Sequence, residues 1–372
     1  MSEKATNIIH RFEQHFPLCL AEKGDPNGLQ IGTLNKEINK IMITLDVRPE
    51  VVKEAIEKEV DLIIAKHPPI FVPVHSLLED DPQQKMYIDL VSHNIAVYAA
   101  HTNMDIVEDG LNDWFCEALD IKNTTYLSPI HTLPYALLTV MVPKGYEAQV
   151  KEALVEAGAG DYGQYDQCIF SVSGKGQFRP KEGSQAFVGQ VGELTHTEET
   201  CLTMVVPPLK QKMVEQALLK SHPYEMPAYY FQELSSLTKT YGIGRVGDLK
   251  EPMTVKALAE KLKAVFAIDH VRFIGHDENK QIRRVAICGG SGQNFYKDAL
   301  KQKADVYITG DVYYHTGHDM METPLTVLDP GHYIEHYCKD KIVALMNQWK
   351  QELNWEVEII SSEVSTNPFK AL

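Results

Sequence analysis

The chain has 372 residues, of which 44% are hydrophobic and 23% are charged, proportions typical of a folded globular protein with two or three domains. Its formal net charge of −15 at pH 7 argues against non-specific DNA or RNA binding, because an acidic surface repels phosphate groups. The first residues contain no apolar signal sequence, and no segment reaches the ~18 apolar residues of a membrane helix, so we expect a cytoplasmic protein that binds no membrane.

The first third of the sequence alternates short apolar segments with segments of helical periodicity. Buried strands are predicted over 41–45, 60–65 and 95–100, and helices over 50–59 and 83–92. This β-α-β-α-β succession predicts a parallel or mixed sheet with helices on its faces.

The final third repeats the same succession. Strands are predicted over 284–288, 306–309 and 325–328, with a glycine-rich turn at 289–292 and a helix over 293–302. We therefore predict an α/β fold in which two similar halves form one metal-binding domain.

A different order of elements is predicted for the middle of the chain. The elements are strands at 135–142, 168–172, 203–206 and 229–234 and helices at 146–157 and 209–220. This β-α-β-β-α-β order predicts a ferredoxin-like α+β insert that interrupts the α/β domain. The Ser- and Gly-containing stretch Ser235–Gly247 is interpreted as the linker that returns to the α/β domain. The predicted domain segments are therefore 1–130, 131–236 and 237–372.

Side chains that can bind metals follow the predicted strands, at the carboxyl ends where open α/β sheets form their sites. They are His67, His101 with Asp105, Asp311 with His315, and His332 with Glu335. Imidazole and carboxylate without thiolate suit zinc, manganese, iron or cobalt, and the six scattered cysteines include no CxxC pair. The alternatives are a packed strand end at His67 and an ordinary helix N-terminus at His332. We therefore predict that these four clusters contain the ligands of two divalent ions, zinc first.

Longer motifs surround these residues. They are 25–32 (Asp-Pro-Asn-Gly-Leu-Gln-Ile-Gly), 66–71 (Lys-His-Pro-Pro-Ile-Phe), 100–105 (Ala-His-Thr-Asn-Met-Asp), 242–247 (Gly-Ile-Gly-Arg-Val-Gly), 286–292 (Ala-Ile-Cys-Gly-Gly-Ser-Gly), 307–311 (Tyr-Ile-Thr-Gly-Asp) and 329–332 (Asp-Pro-Gly-His). With these motifs the chain resembles the family of Nif-three-like dinuclear-metal-centre proteins, the type 2 homologues of GTP cyclohydrolase I. The resemblance covers nearly all of both outer thirds.

The resemblance implies that a metal pair is held by four side chains, His67, Asp105, His332 and Glu335. Two positions depart from the family pattern. Lys66 stands where the family usually has a second histidine, so one metal either loses a ligand or takes another, such as His101. The late glutamate often lies four residues after the histidine, but His336 holds that place here, so either Glu335 or His336 is the ligand.

The middle of the chain has a resemblance of its own. The segments 142–143, 158–160, 174–180 and 222–225 are similar to the CutA/PII-like insert of longer family members. PII-like modules commonly form trimers, so the resemblance implies self-assembly into a homohexamer built from trimers.

Two functions follow from the resemblance and the residues together. The first is a metal-dependent hydrolase of a nucleotide, with opening of the GTP ring as the version that the family name implies. In that case His101 or His315 would move protons. The second is a non-catalytic metal-binding or regulatory hexamer in which the PII-like insert senses a small ligand.

Overall fold

The computed structural model describes residues 2–370 and divides into two compact units. The split unit contains the chain up to Ile130 and again from Tyr241, whereas the inserted unit contains His131–Thr240. Sequence patterns place the second boundary slightly earlier, at 236–237. Within residues 2–370, no helix combines the length and the apolar composition that crossing a bilayer requires.

The first part of the split unit alternates strands and helices. Its elements are β1 (Glu3–Lys4), α1 (Ala5–His15), β2 (Gly28–Ile31), β3 (Glu37–Ile38), β4 (Lys40–Thr44), α2 (Pro49–Glu57), β5 (Leu62–Ala65), α3 (Pro82–Ser92), β6 (Ala96–Ala99), α4 (Thr102–Ile106), α5 (Leu111–Ala118) and β7 (Ile121–Pro143). Pro49 occupies the first turn of α2, where its missing N–H leaves no hydrogen bond unmade. Asp81 caps α3 because its carboxylate accepts hydrogen bonds from the backbone N–H groups of Gln83 and Gln84.

The inserted unit contains the end of β7 and five further elements. They are α6 (Glu147–Glu156), β8 (Ile169–Phe178), β9 (Thr195–Val206), α7 (Gln211–Ser221) and β10 (Tyr229–Thr254), whose second half belongs to the split unit. The strands lie in the order β10-β7-β9-β8, and with two helices this is the predicted ferredoxin-like arrangement. Val150 and Leu154 of α6 and Val214 and Leu218 of α7 form the core that covers one face of these strands.

The last part of the split unit completes the second half. Its elements are α8 (Val255–Phe266), β11 (Arg272–Ile274), β12 (Gln281–Ile287), α9 (Tyr296–Lys301), β13 (Val306–Ile308), α10 (Tyr314–Met321), β14 (Thr326–Asp329), α11 (Cys338–Leu353) and β15 (Glu358–Ser361). Short 3₁₀ helices precede α9 and α11, and the second of them, His332–Tyr337, carries residues discussed below.

Each half of the split unit contains three parallel strands that are neighbours in chain order. The strands β4, β5 and β6 are parallel and lie in a sheet ordered β15-β4-β5-β6-β2. The strands β12, β13 and β14 are parallel in the same way. An antiparallel strand lies beside the third strand of each set, β2 beside β6 and β11 beside β14. The two halves therefore share a β-α-β-α-β plan, and their strands are apolar because parallel sheets are covered on both faces.

The prediction that Ser235–Gly247 is a linker is wrong, because this segment is part of strand β10. Its glycines lie where β10 packs closely against β7. A Cβ atom added at Gly242 would be 2.3 Å from the carbonyl oxygen of Ser128, and one at Gly247 would be 2.5 Å from that of Lys122. These glycines therefore allow the two strands to approach closely. The composition of the segment alone does not distinguish this role of glycine from its role in a flexible linker.

Candidate metal centre

Two histidines from the two halves of the split unit meet at the carboxyl ends of their parallel strands. His67 follows β5, and His332 follows β14 at the start of the 3₁₀ helix His332–Tyr337. Their Nε2 atoms are 3.3 Å apart. The site thus forms where α/β sheets generally place their ligands, with one imidazole from each half.

Glu335 brings a carboxylate to the two imidazoles. Its Oε2 lies 2.8 Å from Nε2 of His67 and 3.5 Å from Nε2 of His332. Burial by itself would raise the pKa of Glu335, but the ammonium of Lys66 and the two imidazoles hold it well below its usual value. The carboxylate is therefore negatively charged and faces both rings.

Nδ1 of each imidazole is hydrogen-bonded to an aspartate from the same half of the split unit. His67 Nδ1 lies 2.7 Å from Asp46 Oδ1, and His332 Nδ1 lies 2.7 Å from Asp311 Oδ2. In both pairs the aspartate precedes the histidine by 21 residues, since the aspartate follows one parallel strand and the histidine follows the next. These aspartates fix the orientation of the rings and leave both Nε2 atoms facing Glu335.

The same carboxylates make the imidazoles basic. Burial alone would lower the pKa of His332, but the carboxylates of Asp311 and Glu335 raise it to about 10. Burial likewise opposes protonation of His67, and Asp46 and Glu335 raise its pKa above the usual value. A metal ion that binds here must therefore displace protons from the rings.

The glycine-rich turn after β12 packs directly against the carboxylate of Glu335. A Cβ atom at Gly290 would lie 2.8 Å from Glu335 Oε1, and the φ of +62° at Gly290 also favours glycine. A Cβ atom at Gly289 would lie 3.1 Å from the same oxygen. The backbone of Gly289 and Gly290 therefore lies directly beside the Glu335 carboxylate, where a larger residue would not fit.

Two imidazole nitrogens and one carboxylate oxygen form a donor set suited to a divalent metal. The ligand atoms of His67, His332 and Glu335 all lie within 4.8 Å of one another. Zinc, manganese, iron and cobalt accept such mixed nitrogen and oxygen ligands, and three protein ligands leave positions open for substrate or water. The residues present thus fit one divalent ion.

Asp105, the fourth predicted ligand, is bound to a lysine. Lys66 Nζ donates to Asp105 Oδ2 at 3.1 Å and lies 3.7 Å from Glu335 Oε2. Asp105 Oδ1 is buried and accepts no hydrogen bond from any residue between 2 and 370. The assignment of Asp105 as a metal ligand stays a prediction.

A family model described as Duf34/NIF3 (NGG1p interacting factor 3) matches residues 3–368 of the chain. The chain belongs to the Duf34/NIF3 family. The resemblance inferred from the sequence motifs is thereby confirmed.

Several known proteins are similar to this Duf34/NIF3 chain over nearly their whole length. A Bacillus subtilis (strain 168) protein named GTP cyclohydrolase 1 type 2 homolog is 44% identical over 371 residues, which are 100% of this chain and 99% of the relative. A Streptococcus pneumoniae protein of the same name is 39% identical over 98% of each chain. The crystal structure of a Bacillus cereus protein related to NIF3 matches with a TM-score of 0.88 and 37% identity, covering 100% of this chain and 99% of that one. The chain thus has the mixed α/β fold of NIF3 proteins.

The two predicted proton-transfer residues of this Duf34/NIF3 protein lie in different surroundings. The ring of His101 is 5.6 Å from that of His67, and both line a cavity of about 250 Å³. His101 Nδ1 is held by Asp25 Oδ1 at 2.6 Å. His315 is exposed on α10, where its ring packs against Tyr314. Within residues 2–370 it makes no hydrogen bond to His67, His332 or Glu335.

The side chains of Glu335 and His336, the two alternatives for the late ligand, lie in different places. Glu335 faces the two imidazoles, whereas Nε2 of His336 lies 2.8 Å from the carbonyl oxygen of Phe266. Two aspartates at the site, Asp46 and Asp25, do not stand out among the metal-binding residue types in the sequence. The spacing of 21 residues shared by the two Asp–His pairs is the signal that would have found Asp46.

Proposed function

We propose that this protein is a metal-dependent hydrolase of a nucleotide, with His67, His332 and Glu335 as ligands of its metal. The observation that supports this most is the convergence of their Nε2, Nε2 and Oε2 atoms, with each imidazole fixed by an aspartate. A bound divalent ion supplies Lewis-acid activation of water and of a substrate oxygen. The name of the Bacillus subtilis relative, GTP cyclohydrolase 1 type 2 homolog, favours GTP as the first substrate to test.

His101 is the proton-transfer residue in this proposal. Asp25 holds its Nδ1, and its ring borders the same cavity as His67 and His332. An imidazole held at one nitrogen can exchange a proton at the other, which is the usual arrangement of a general acid or base. His315 takes no part in the proposal because it is exposed and has no hydrogen bond to the cluster within residues 2–370.

Two cavities that share His332 offer room for a substrate. The cavity of about 250 Å³ also contains Arg48 and Phe71, and a larger cavity of about 580 Å³ contains Tyr333 and Phe369. The larger volume is in the range of ligand pockets, which is about 300–1,000 Å³. Aromatic rings can stack on a base, and a guanidinium can bind phosphate, so this lining is compatible with a nucleotide.

The test is chromatography of GTP and a panel of phosphoesters after incubation with the zinc- or manganese-loaded protein. We expect a product from the wild type and none from His67→Gln, which removes a ligand. His101→Gln should keep its metal but lower kcat by about 10²–10⁴-fold, the usual contribution of a general acid or base. His318→Gln, at an exposed histidine of α10, is the matched control and should keep full activity.

Two outcomes would contradict the hydrolase. Equal product from the wild type and from His67→Gln would place the activity elsewhere or in a contaminant. No product with any metal would favour the alternative, a non-catalytic metal-binding or regulatory hexamer whose insert senses a small ligand.

We also propose that the chain assembles with itself through the inserted unit, as a homohexamer built from trimers. On the sheet face opposite α6 and α7, Phe170, Val172 and Tyr230 are 68%, 50% and 54% exposed. They alternate along their strands with Ile169 and Tyr229, which pack into the core under the helices. Large exposed apolar side chains on one face of a sheet, here on the inserted unit's two outer strands β8 and β10, favour a protein–protein interface.

Light scattering coupled to size exclusion tests the assembly. We expect hexamers of the wild type and smaller species of the double variant Phe170→Lys/Val172→Lys, because charge on this face opposes its burial. The control Glu152→Lys changes an exposed residue of α6 and should remain hexameric. A monomeric wild type at micromolar concentration would refute self-assembly, and a hexameric double variant would exclude this face.

A further inference from the structure

Lys66 is a fully buried cation within the metal centre. Its side chain is 1% exposed, and it directly precedes His67 at the carboxyl end of β5. Burying an ammonium group requires partners of opposite charge, because the loss of hydration is otherwise too costly. Asp105 and Glu335 are those partners, with Nζ–oxygen distances of 3.1 Å and 3.7 Å.

The ammonium of Lys66 lies beside the two carboxylates that a second metal ion would need as ligands. A second ion held by Asp105 and Glu335 would share these two carboxylates with Lys66 Nζ, which already approaches Asp105 Oδ2 and Glu335 Oε2. Two cations at one position exclude each other by volume and by charge repulsion.

We infer that Lys66 takes the place of the second metal ion, so that each chain binds one divalent ion, at His67, His332 and Glu335. This replaces the two ions expected from the sequence. The inference rests on the metal site of the proposed function but is independent of whether that site is catalytic. In this arrangement Asp105 is a counter-ion of Lys66 and positions its ammonium beside Glu335.

The single substitution Lys66→His is expected to create a second metal site. A histidine at position 66 would remove the fixed cation and add an imidazole beside Asp105 and Glu335. Asp105 Oδ1, buried without a hydrogen-bond partner within residues 2–370, would then be available as a ligand atom. Lys66→Met removes the cation without adding a ligand and is the matched comparison.

The experiment is native mass spectrometry and elemental analysis of the full-length protein, loaded with zinc and then dialysed. We expect one zinc ion per chain in the wild type, two in Lys66→His and one in Lys66→Met. Circular dichroism of each variant checks that it is folded. The number of zinc ions per wild-type chain is measured without any variant. The inference can therefore still be tested if Lys66→His does not fold.

Two zinc ions per wild-type chain would overturn the inference while leaving the proposed hydrolase standing. A folded Lys66→His with a single ion would also overturn it, since Lys66 would then not limit the count. No zinc in the wild type would remove the metal centre itself, and with it the proposed function. One ion without turnover of any substrate would support the inference and contradict the hydrolase.

Discussion

Replacement of Glu335 with glutamine is expected to remove the metal from the protein and to abolish turnover. Glu335 Oε2 is the atom that both imidazoles face, and it is the one anionic ligand of the proposed site. The loss of metal affinity should exceed about 100-fold, because removing even the outer partners of ligands typically costs about 10–100-fold. Competition with a chromophoric zinc chelator measures the affinity directly.

Glu54→Gln is the matched control for this prediction. Glu54 is also a buried glutamate, but its carboxylate accepts hydrogen bonds from Lys58 and Ser362 and contacts no residue of the metal centre. We expect this variant to lose stability and to keep its metal. Wild-type metal affinity in Glu335→Gln would show that the metal binds elsewhere.

Arg245→Met is expected to cost the split unit about 3–5 kcal/mol of unfolding free energy, the range for breaking a buried ion pair. The side chain of Arg245 is 3% exposed, and its Nε and Nη2 donate to the two carboxylate oxygens of Asp113, each at 2.7 Å. It also donates to the carbonyl oxygens of Val107 and Gly244. Methionine fills much of the volume but leaves these acceptors without a donor.

Unfolding in guanidinium chloride, followed by circular dichroism, measures the change. Because the side chain of Asp113 keeps 27% exposure, water can solvate its carboxylate in part, and we expect the lower end of the range. Arg283→Met is the control, since Arg283 is exposed on β12 and its guanidinium makes no hydrogen bond within residues 2–370. Equal stabilities of the two variants would mean that the buried pair contributes no more than a surface arginine.

The pairing of an aspartate after one strand with a histidine after the next occurs once in each half of the split unit. Asp46 with His67 and Asp311 with His332 share both the spacing of 21 residues and the Nδ1–carboxylate distance of 2.7 Å. A parallel β-α-β unit places consecutive strand ends side by side, so the repeated plan of the fold explains the repeated pair. The candidate metal centre therefore belongs to both halves, and neither half alone contains all three of the proposed ligands.

The buried parallel strands could be predicted from sequence because their signal is local. The apolar runs at 41–45, 60–65 and 95–100 correspond to β4, β5 and β6. The sequence predicts only 135–142 of strand β7, because Lys122–Thr125 near its start are exposed and polar and form a strand through pairing with distant residues. The same long-range pairing made a strand of the segment at 235–247.

The sequence by itself determined which residue types end the strands, and hence that imidazoles and carboxylates gather at one edge of each sheet. Only the tertiary structure decided which of them share a site, because His67 and Glu335 are 268 residues apart and meet through the packing of the two halves. It also decided the surroundings of Lys66, which the sequence marks only as a departure from the family pattern. Whether an ammonium group is solvated or bound between two carboxylates depends on burial and on charges brought near through space, and neither is encoded by its immediate neighbours.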